Sequence, residues 1–225
     1  MPELSKHSRA YVRPSPSRGS LGGVTRSTSS ALALCEAAGY NLCLVETVGV
    51  GQSETMVADM VDMFVLIVPP AGGDELQGLK RGIVELADLV IVNKADGNLI
   101  PAARSAAIEY TSALKFQRPL HRNWKPPVIM VSAQDGHGIE AVWKCMQDFK
   151  ETLARTGELE EFREKQRLRT MWRQVSFLLD DHLKQNKQIQ SLLDGGLASD
   201  VKFGRKTPAS AAESIVETFL SNTRR

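Results

Sequence analysis

The sequence predicts an open α/β fold, with a mostly parallel sheet between helices, followed by a C-terminal helical extension. Three observations carry this. Four short apolar runs, residues 42–46, 63–68, 89–93 and 128–132, are rich in Val, Ile and Leu without polar alternation. Continuous runs of that length fit strands buried on both faces, as a parallel sheet between helices requires. Helix-like stretches separate them, giving a β-α-β-α rhythm. From residue 139 onward the composition turns to Glu, Lys, Arg and Gln with apolar residues at three-and-four spacing. An α+β domain built from the same four runs is the alternative.

The elements follow in order. Residues 30–38 read as a helix ending at Gly39, a residue suited to the position just past a helix. Residues 75–86 carry Leu79, Ile83 and Leu86 on one helical face. Residues 101–114 open with Pro101, which the first helical turn tolerates. Residues 139–155 are amphipathic. In 158–187, Leu168, Met171, Trp172, Val175, Leu178 and Leu179 line one face of a long helix with a solvated back. That face suits a partner subunit and suits the chain's own sheet equally well. Gly195-Gly196 breaks the pattern, and 209–220 forms one more short helix. The domains are therefore drawn at 1–155 for the α/β part and 156–225 for the helical arm.

Composition narrows the function. The 225 residues are 42% hydrophobic and 24% charged, enough to bury a core and too ordered in makeup for a disordered chain. Lys and Arg number 28 against 26 Asp and Glu, a net charge of +2, which argues against a nucleic-acid binder. No apolar run reaches the length of a membrane span. Three scattered cysteines, Cys35, Cys43 and Cys145, argue for a reducing compartment and against a disulfide framework or a paired-cysteine metal site. The four histidines are isolated, including His137 between Gly136 and Gly138, and do not suggest a metal site.

The chemistry lies where strands end. The first run closes on Glu46, followed by Gly49, Val50, Gly51 and Gln52. A carboxylate there reaches Mg²⁺ directly or through water, and a glycine three residues on lets a backbone N–H approach a γ-phosphate. Taken alone, this spacing also fits an unremarkable strand end. The third run closes on Asn93-Lys94-Ala95-Asp96, an N-K-x-D pattern. Guanine presents two adjacent donors, N1–H and its exocyclic amine, and one ionised carboxylate, Asp96, accepts both. Adenine presents a lone pair at N1 instead and is rejected. Asn93 ties the neighbouring loops and approaches the N7/O6 side, while the Lys94 stem lies along the base. The fourth run ends in Ser132-Ala133-Gln134, where the Ala133 N–H is suited to guanine O6. Three loops in this order imply a site for GTP.

One part is missing. The phosphate-binding pattern GxxxxGK[ST] requires a Gly-Lys pair, and the chain has none. The expectation is a fragment lacking its amino-terminal part; a degenerate domain reading guanine weakly is the alternative. On either reading this chain alone hydrolyses GTP poorly.

With these residues in view, residues 1–173 resemble the methylmalonyl-CoA mutase-associated GTPase chaperones, the MeaB, ArgK and MMAA family. The resemblance rests on residues 13–24 (RPSPSRGSLGGV), on 46–52 and on 69–80 (PPAGGDELQGLK). It implies an incomplete P-loop-type GTPase domain bearing a helical dimerisation or partner arm. It implies Glu46 supporting Mg²⁺, Gly49 and Gln52 in the loop sensing the γ-phosphate, and residues 72–80 as a further nucleotide-responsive loop contacting the client. Lys80 there matches a lysine implicated in client-stimulated hydrolysis; by itself it reads as a solvated helix lysine. The implied cofactors are GTP or GDP and Mg²⁺. The implied role is to gate adenosylcobalamin loading and protection of methylmalonyl-CoA mutase as a homodimer, in the mitochondrial matrix or the bacterial cytoplasm. A non-hydrolysing partner-binding module is the competing class. A related nickel-insertion GTPase is disfavoured, because no His-rich tract or cysteine pair lies near the switches.

Overall fold

The computed structural model describes residues 1–14, 26–47, 53–70 and 81–223. Among them, β1 (Val65–Val68), β2 (Leu89–Val92) and β3 (Val128–Met130) form one sheet in the order β1-β2-β3. Both pairings are parallel, with Val65 opposite Leu89 and Val90 opposite Val128. Helices α1 (Pro2–Ser5), α2 (Arg26–Ala37) and α3 (Ser53–Ala58) precede the sheet, and α4 (Arg81–Val84) lies between β1 and β2. Helix α5 (Ile100–Lys115) connects β2 to β3, and α6 (Ile139–Thr156) follows β3. The α/β class with a parallel sheet is as the apolar runs predict.

The inner strand β2 explains why its sequence shows no alternation. Val90 and Val92 pack with Leu66, Val68, Ala103, Ala106 and Tyr110 on one face. Leu89 and Ile91 pack with Val131, Val142 and Cys145 on the other. Helix α5 therefore covers one face and α6 the other. Each such side chain contributes on the order of 2 kcal/mol by leaving water, before ordering costs. The edge strand β1 is less covered, with Ile67 62% exposed.

Residues 42–46 are a correction. They form no ladder among the described residues and run as irregular chain. Leu44 is 76% exposed and Leu42 50%, whereas Val45 alone of the run packs against the core. An apolar run marks a segment fit for burial, but a strand also needs a neighbour to receive its N–H and C=O groups. The second run starts later than its composition suggests, because the Asp88 carboxylate accepts the Phe64 N–H at 2.8 Å in place of a ladder bond.

Helix α2 ends as Gly39 predicts. Gly39 has φ +87°, its N–H donates to Glu36 O, and the Tyr40 N–H donates to Cys35 O at 3.1 Å. These two bonds close the helix end. Helices α5 and α6 match the expected stretches, while most of the expected helix 75–86 lies outside the described residues and only α4 is described there.

Helix α7 (Glu158–Gln185) starts where the composition changes, yet the chain divides later, into Met1–Gln166 and Arg167–Arg225. Three side chains fasten its first turns to the first unit. Glu158 accepts from the Arg122 N–H at 2.8 Å and from the Asn123 amide. Arg163 grips Asp62 with a two-pronged pair at 2.7 and 2.6 Å. Gln166 donates to Val61 O at 2.7 Å and Ala58 O at 3.2 Å. Composition places the boundary at 155/156 because these anchors are single residues in a helix that is otherwise solvated.

The second unit holds the remainder of α7, α8 (Lys187–Leu192), a wide turn over Leu193–Leu197, α9 (Ala198–Lys202) and α10 (Pro208–Thr223). The Asn186 side chain caps α8 by accepting from Gln188 N and Ile189 N. Gly196 has φ +119°, so the glycine pair kinks the helical path as its sequence predicts. Ile189, Leu197 and Ala211 are buried, while Met171 is 46% and Trp172 64% exposed on α7. No helix among the described residues is long and apolar enough to cross a membrane.

Glu158 gives a stability prediction. Burial alone would raise its pKa, but donors on Asn123, Arg122 and Thr156 outweigh burial and hold its carboxyl below the usual range. A lowered folded pKa stabilises above the unfolded value of about 4.3, and that contribution is lost as pH falls through the folded value. Glu158→Gln is expected to lower stability at pH 7 by roughly 1–3 kcal/mol. Denaturant unfolding across pH 3–7 (a range on the order of the carboxylate titration) checks it: the variant's deficit shrinks on the acid side.

Candidate functional site

The site forms where β2 and β3 end. Asn93 extends the β1–β2 ladder by one bond, its N–H donating to Val68 O at 2.9 Å. Past it the chain turns sharply. Lys94 has φ +57°, the one positive φ outside glycine among the described residues. The Asn93 Oδ1 receives the Lys94 N–H at 2.8 Å and closes this turn. The Ala95 N–H then donates to Val131 O at 3.0 Å, and the Val131 N–H to Val92 O at 2.8 Å. The loop after β2 is thereby stitched to the end of β3.

Asp96 is held by its partner loop. The Ser132 hydroxyl donates to Asp96 Oδ2 at 2.7 Å and accepts the Asp135 N–H at 3.0 Å. Ser132 is fully buried, and its N–H donates to His137 O at 3.0 Å. A hydroxyl with its donor and acceptor both engaged cannot swing, so it sets the carboxylate plane. Asp96 Oδ1 has no hydrogen-bond partner among the described residues. A second bridge joins the loops, from the Ala133 N–H to Asn93 Oδ1 at 3.3 Å.

The fold thus brings Asn93, Lys94, Asp96, Ser132 and Ala133 together at the ends of two strands, with Gln134 exposed beside them. Two details go beyond the sequence reading. The Ala133 N–H, expected to be available to a base oxygen, already has a long bond to Asn93. Because Asn93 turns Oδ1 back into the loops, its Nδ2 is the group left to donate outward. Ser132 also has a role of its own that a two-residue motif does not reveal: it orients Asp96.

Of the proposed hydrolytic residues, only Glu46 is among those described. Glu46 is exposed in the irregular segment and has no hydrogen bond or ion pair among the described residues. Gly49, Gln52 and Lys80 lie outside the described residues. Among the described residues no three His, Cys, Asp or Glu side chains converge as a metal site. A single unpaired carboxylate nevertheless suits Mg²⁺, which takes one or two carboxylates and fills its other positions with water and phosphate oxygen.

Comparison with known proteins decides the family. The sequence pattern described as "Methylmalonyl Co-A mutase-associated GTPase MeaB" matches residues 1–188. The chain belongs to the MeaB GTPase family. The mouse "Methylmalonic aciduria type A homolog, mitochondrial" is 48% identical over 221 residues, covering 98% of this chain and 53% of that protein. The Escherichia coli "GTPase ArgK" is 41% identical over 187 residues, covering 83% of this chain and 56% of that one. The chain therefore spans about half the length of these two MeaB-family relatives. A solved structure described as "LAO/AO transport system kinase" superposes with TM-score 0.76 at 33% identity, covering 97% of this chain and 68% of that one.

Gly138 sits at the joint between the Ser132 loop and α6. It has φ +81°, and a Cβ there would press against the Met130 carbonyl oxygen and approach the Val131 side chain within 3.2 Å. Gly138→Ala is expected to cost more than about 1 kcal/mol, since both the conformation and the contact oppose a methyl group. Thermal unfolding reads the loss, and hydrogen exchange should place the loosening at 131–138.

Proposed function

We propose that this chain supplies the base-recognising half of a GTP-hydrolysing chaperone that gates adenosylcobalamin loading and protection of methylmalonyl-CoA mutase. The observation that carries the reading is the Ser132–Asp96 hydrogen bond at 2.7 Å, which holds a carboxylate at the carboxyl ends of parallel strands. Ligands of open α/β sheets gather at that edge. Asp96 accepts the guanine N1–H and exocyclic amine, and its Oδ2 keeps a lone pair for the base while it receives Ser132. Asn93 Nδ2 donates to N7, and the Lys94 stem covers the ring. The base is thereby read by complementarity at one edge.

Hydrolysis draws on parts this site does not contain. Glu46 would hold Mg²⁺, directly or through a water, and the ion would there supply charge neutralisation at the phosphates. Gly49 and Gln52 form the loop that senses the γ-phosphate. Lys80 offsets negative charge building on the transferring group when the client mutase engages residues 72–80. The family description, naming the mutase, supports that client. The mitochondrial mouse relative supports a matrix location, with the bacterial cytoplasm as the counterpart for relatives such as ArgK. The exposed apolar residues of α7, Trp172 among them, support a homodimer or client contact through 156–225.

Two measurements test the reading in a polypeptide of the relatives' full length. Asp96→Asn replaces an acceptor pair by one acceptor and one donor, matching xanthine, whose C2 carbonyl accepts the amide N–H. Calorimetry is expected to give GTP affinity down on the order of a hundredfold, with xanthosine triphosphate now preferred. Unchanged base preference would remove Asp96 from the site. Lys80→Ala is expected to leave GTP affinity and basal turnover near wild type while lowering mutase-stimulated turnover on the order of tenfold or more. Phosphate release with and without the mutase separates the two; an equal fall in both would deny Lys80 its client-dependent role.

A further inference from the structure

Asp is followed by Gly at three places in the chain, Asp96-Gly97, Asp135-Gly136 and Asp194-Gly195. Such a step carries latent chemistry, because glycine has no Cβ to shield its backbone nitrogen from the carboxyl beside it. The fold treats the three differently. The Asp96 carboxylate is tied by the Ser132 hydroxyl at 2.7 Å. Asp194 and Gly195 lie within the helical turn Leu193–Leu197, whose one non-helical residue is Gly196, so bringing the Gly195 nitrogen onto the Asp194 carboxyl means undoing that turn. Asp135 is exposed, and neither its carboxylate nor the Gly136 N–H has a hydrogen-bond partner among the described residues. A Cβ placed on Gly136 would meet nothing within 4 Å, so no neighbour blocks a closing ring.

We propose that Asp135-Gly136 is a modification site, where Asp135 converts to an isoaspartyl residue whose free carboxylate is a methyl acceptor for a repair enzyme. The Gly136 nitrogen attacks Cγ of the protonated Asp135 carboxyl. Its proton and the departing hydroxyl leave as one water, closing a cyclic imide. A second water adds to the imide carbonyl that belonged to the Asp135 main chain and breaks its bond to the Gly136 nitrogen. The chain then runs through the old side-chain carbonyl, one methylene longer, and the former main-chain carbonyl is a free carboxylate. Nothing is oxidised or reduced, and water is the only other reactant.

The place of this step in the loop gives the modification a consequence. The Asp135 N–H donates to the Ser132 hydroxyl at 3.0 Å, the same hydroxyl that donates to Asp96. The Ser132 N–H donates to His137 O at 3.0 Å. A methylene inserted between residues 135 and 136 lengthens the path from the Asp135 N–H to the His137 carbonyl. Both groups are bonded to Ser132, so the two bonds cannot keep their present lengths together. The modification therefore loosens the residue that orients Asp96. The chemistry stands independently of the nucleotide reading.

The test ages the intact chain at neutral pH and then supplies a protein-isoaspartyl methyltransferase with labelled S-adenosylmethionine. Aged wild type is expected to accept several-fold more methyl groups than the fresh chain. Electron-based fragmentation of its peptides should place the isoaspartyl link at 135 ahead of 96 and 194. Asp135→Glu, which must close a larger and slower ring, should lose most of the methyl acceptance. Asp135→Asn, which expels ammonia instead of water, should reach it several-fold sooner. Aged in urea, where the fold no longer separates the three steps, 96, 135 and 194 should be modified at similar rates. Amide exchange over 131–138 should quicken in the modified chain. An aged chain that accepts no methyl, a folded chain modified first at 96 or 194, the same site pattern with and without urea, or unchanged exchange after modification would each overturn the proposal.

Discussion

An inner strand buried on both faces has to dispose of the polar groups at its two ends, and β2 disposes of them in ways that organise the first unit. At its start, the Asp88 N–H donates to Phe64 O, and the Asp88 carboxylate takes the Phe64 N–H. The Asp88 carbonyl receives the Trp124 indole N–H at 2.8 Å, and its second carboxylate oxygen faces His121 at 3.4 Å. His121 is packed edge-on by Phe149 and Phe162. That end of the strand is a polar cluster inside an apolar wall, in which the buried His121 Nε2 faces Asp88 without a hydrogen bond among the described residues; an unmade bond there costs about 1–3 kcal/mol. At the other end the same need is met by Asn93, Ala95 and Val131, and there the polar groups open toward solvent. At that open end the Ser132 hydroxyl holds Asp96 in place.

What the sequence revealed and what it concealed divide along a physical line. Strand β2, helix α5 behind Pro101 and helix α6 are local patterns of side-chain type, and they occur where those patterns say. The Asn93–Asp96 motif was legible because base recognition needs particular atoms at short spacing. Residues 42–46 carry the same apolar signature as β2 but no ladder among the described residues, since composition records a tendency to be buried and says nothing about a partner. Asp88, Ser132 and Glu158 act as single polar residues whose value comes wholly from what folds beside them, so no periodicity announces them.

Lys94 gives the loop its energetic character. Holding a residue with a side chain at φ +57° costs on the order of 1–2 kcal/mol. Four hydrogen bonds act against that cost: Lys94 N–H and Ala133 N–H to Asn93, Ala95 N–H to Val131, and Ser132 to Asp96. At about 0.5–1.5 kcal/mol each, they are sufficient to hold the turn without a ligand. A purine arriving here on the guanine reading would meet residues 93–96 already ordered, so the backbone entropy of roughly 1–2 kcal/mol per residue is spent in folding. Discrimination between bases then rests on which hydrogen bonds the fixed edge can make. A loop that ordered only on binding would charge the correct and the incorrect base alike, and would gain nothing in selectivity from the strain at Lys94.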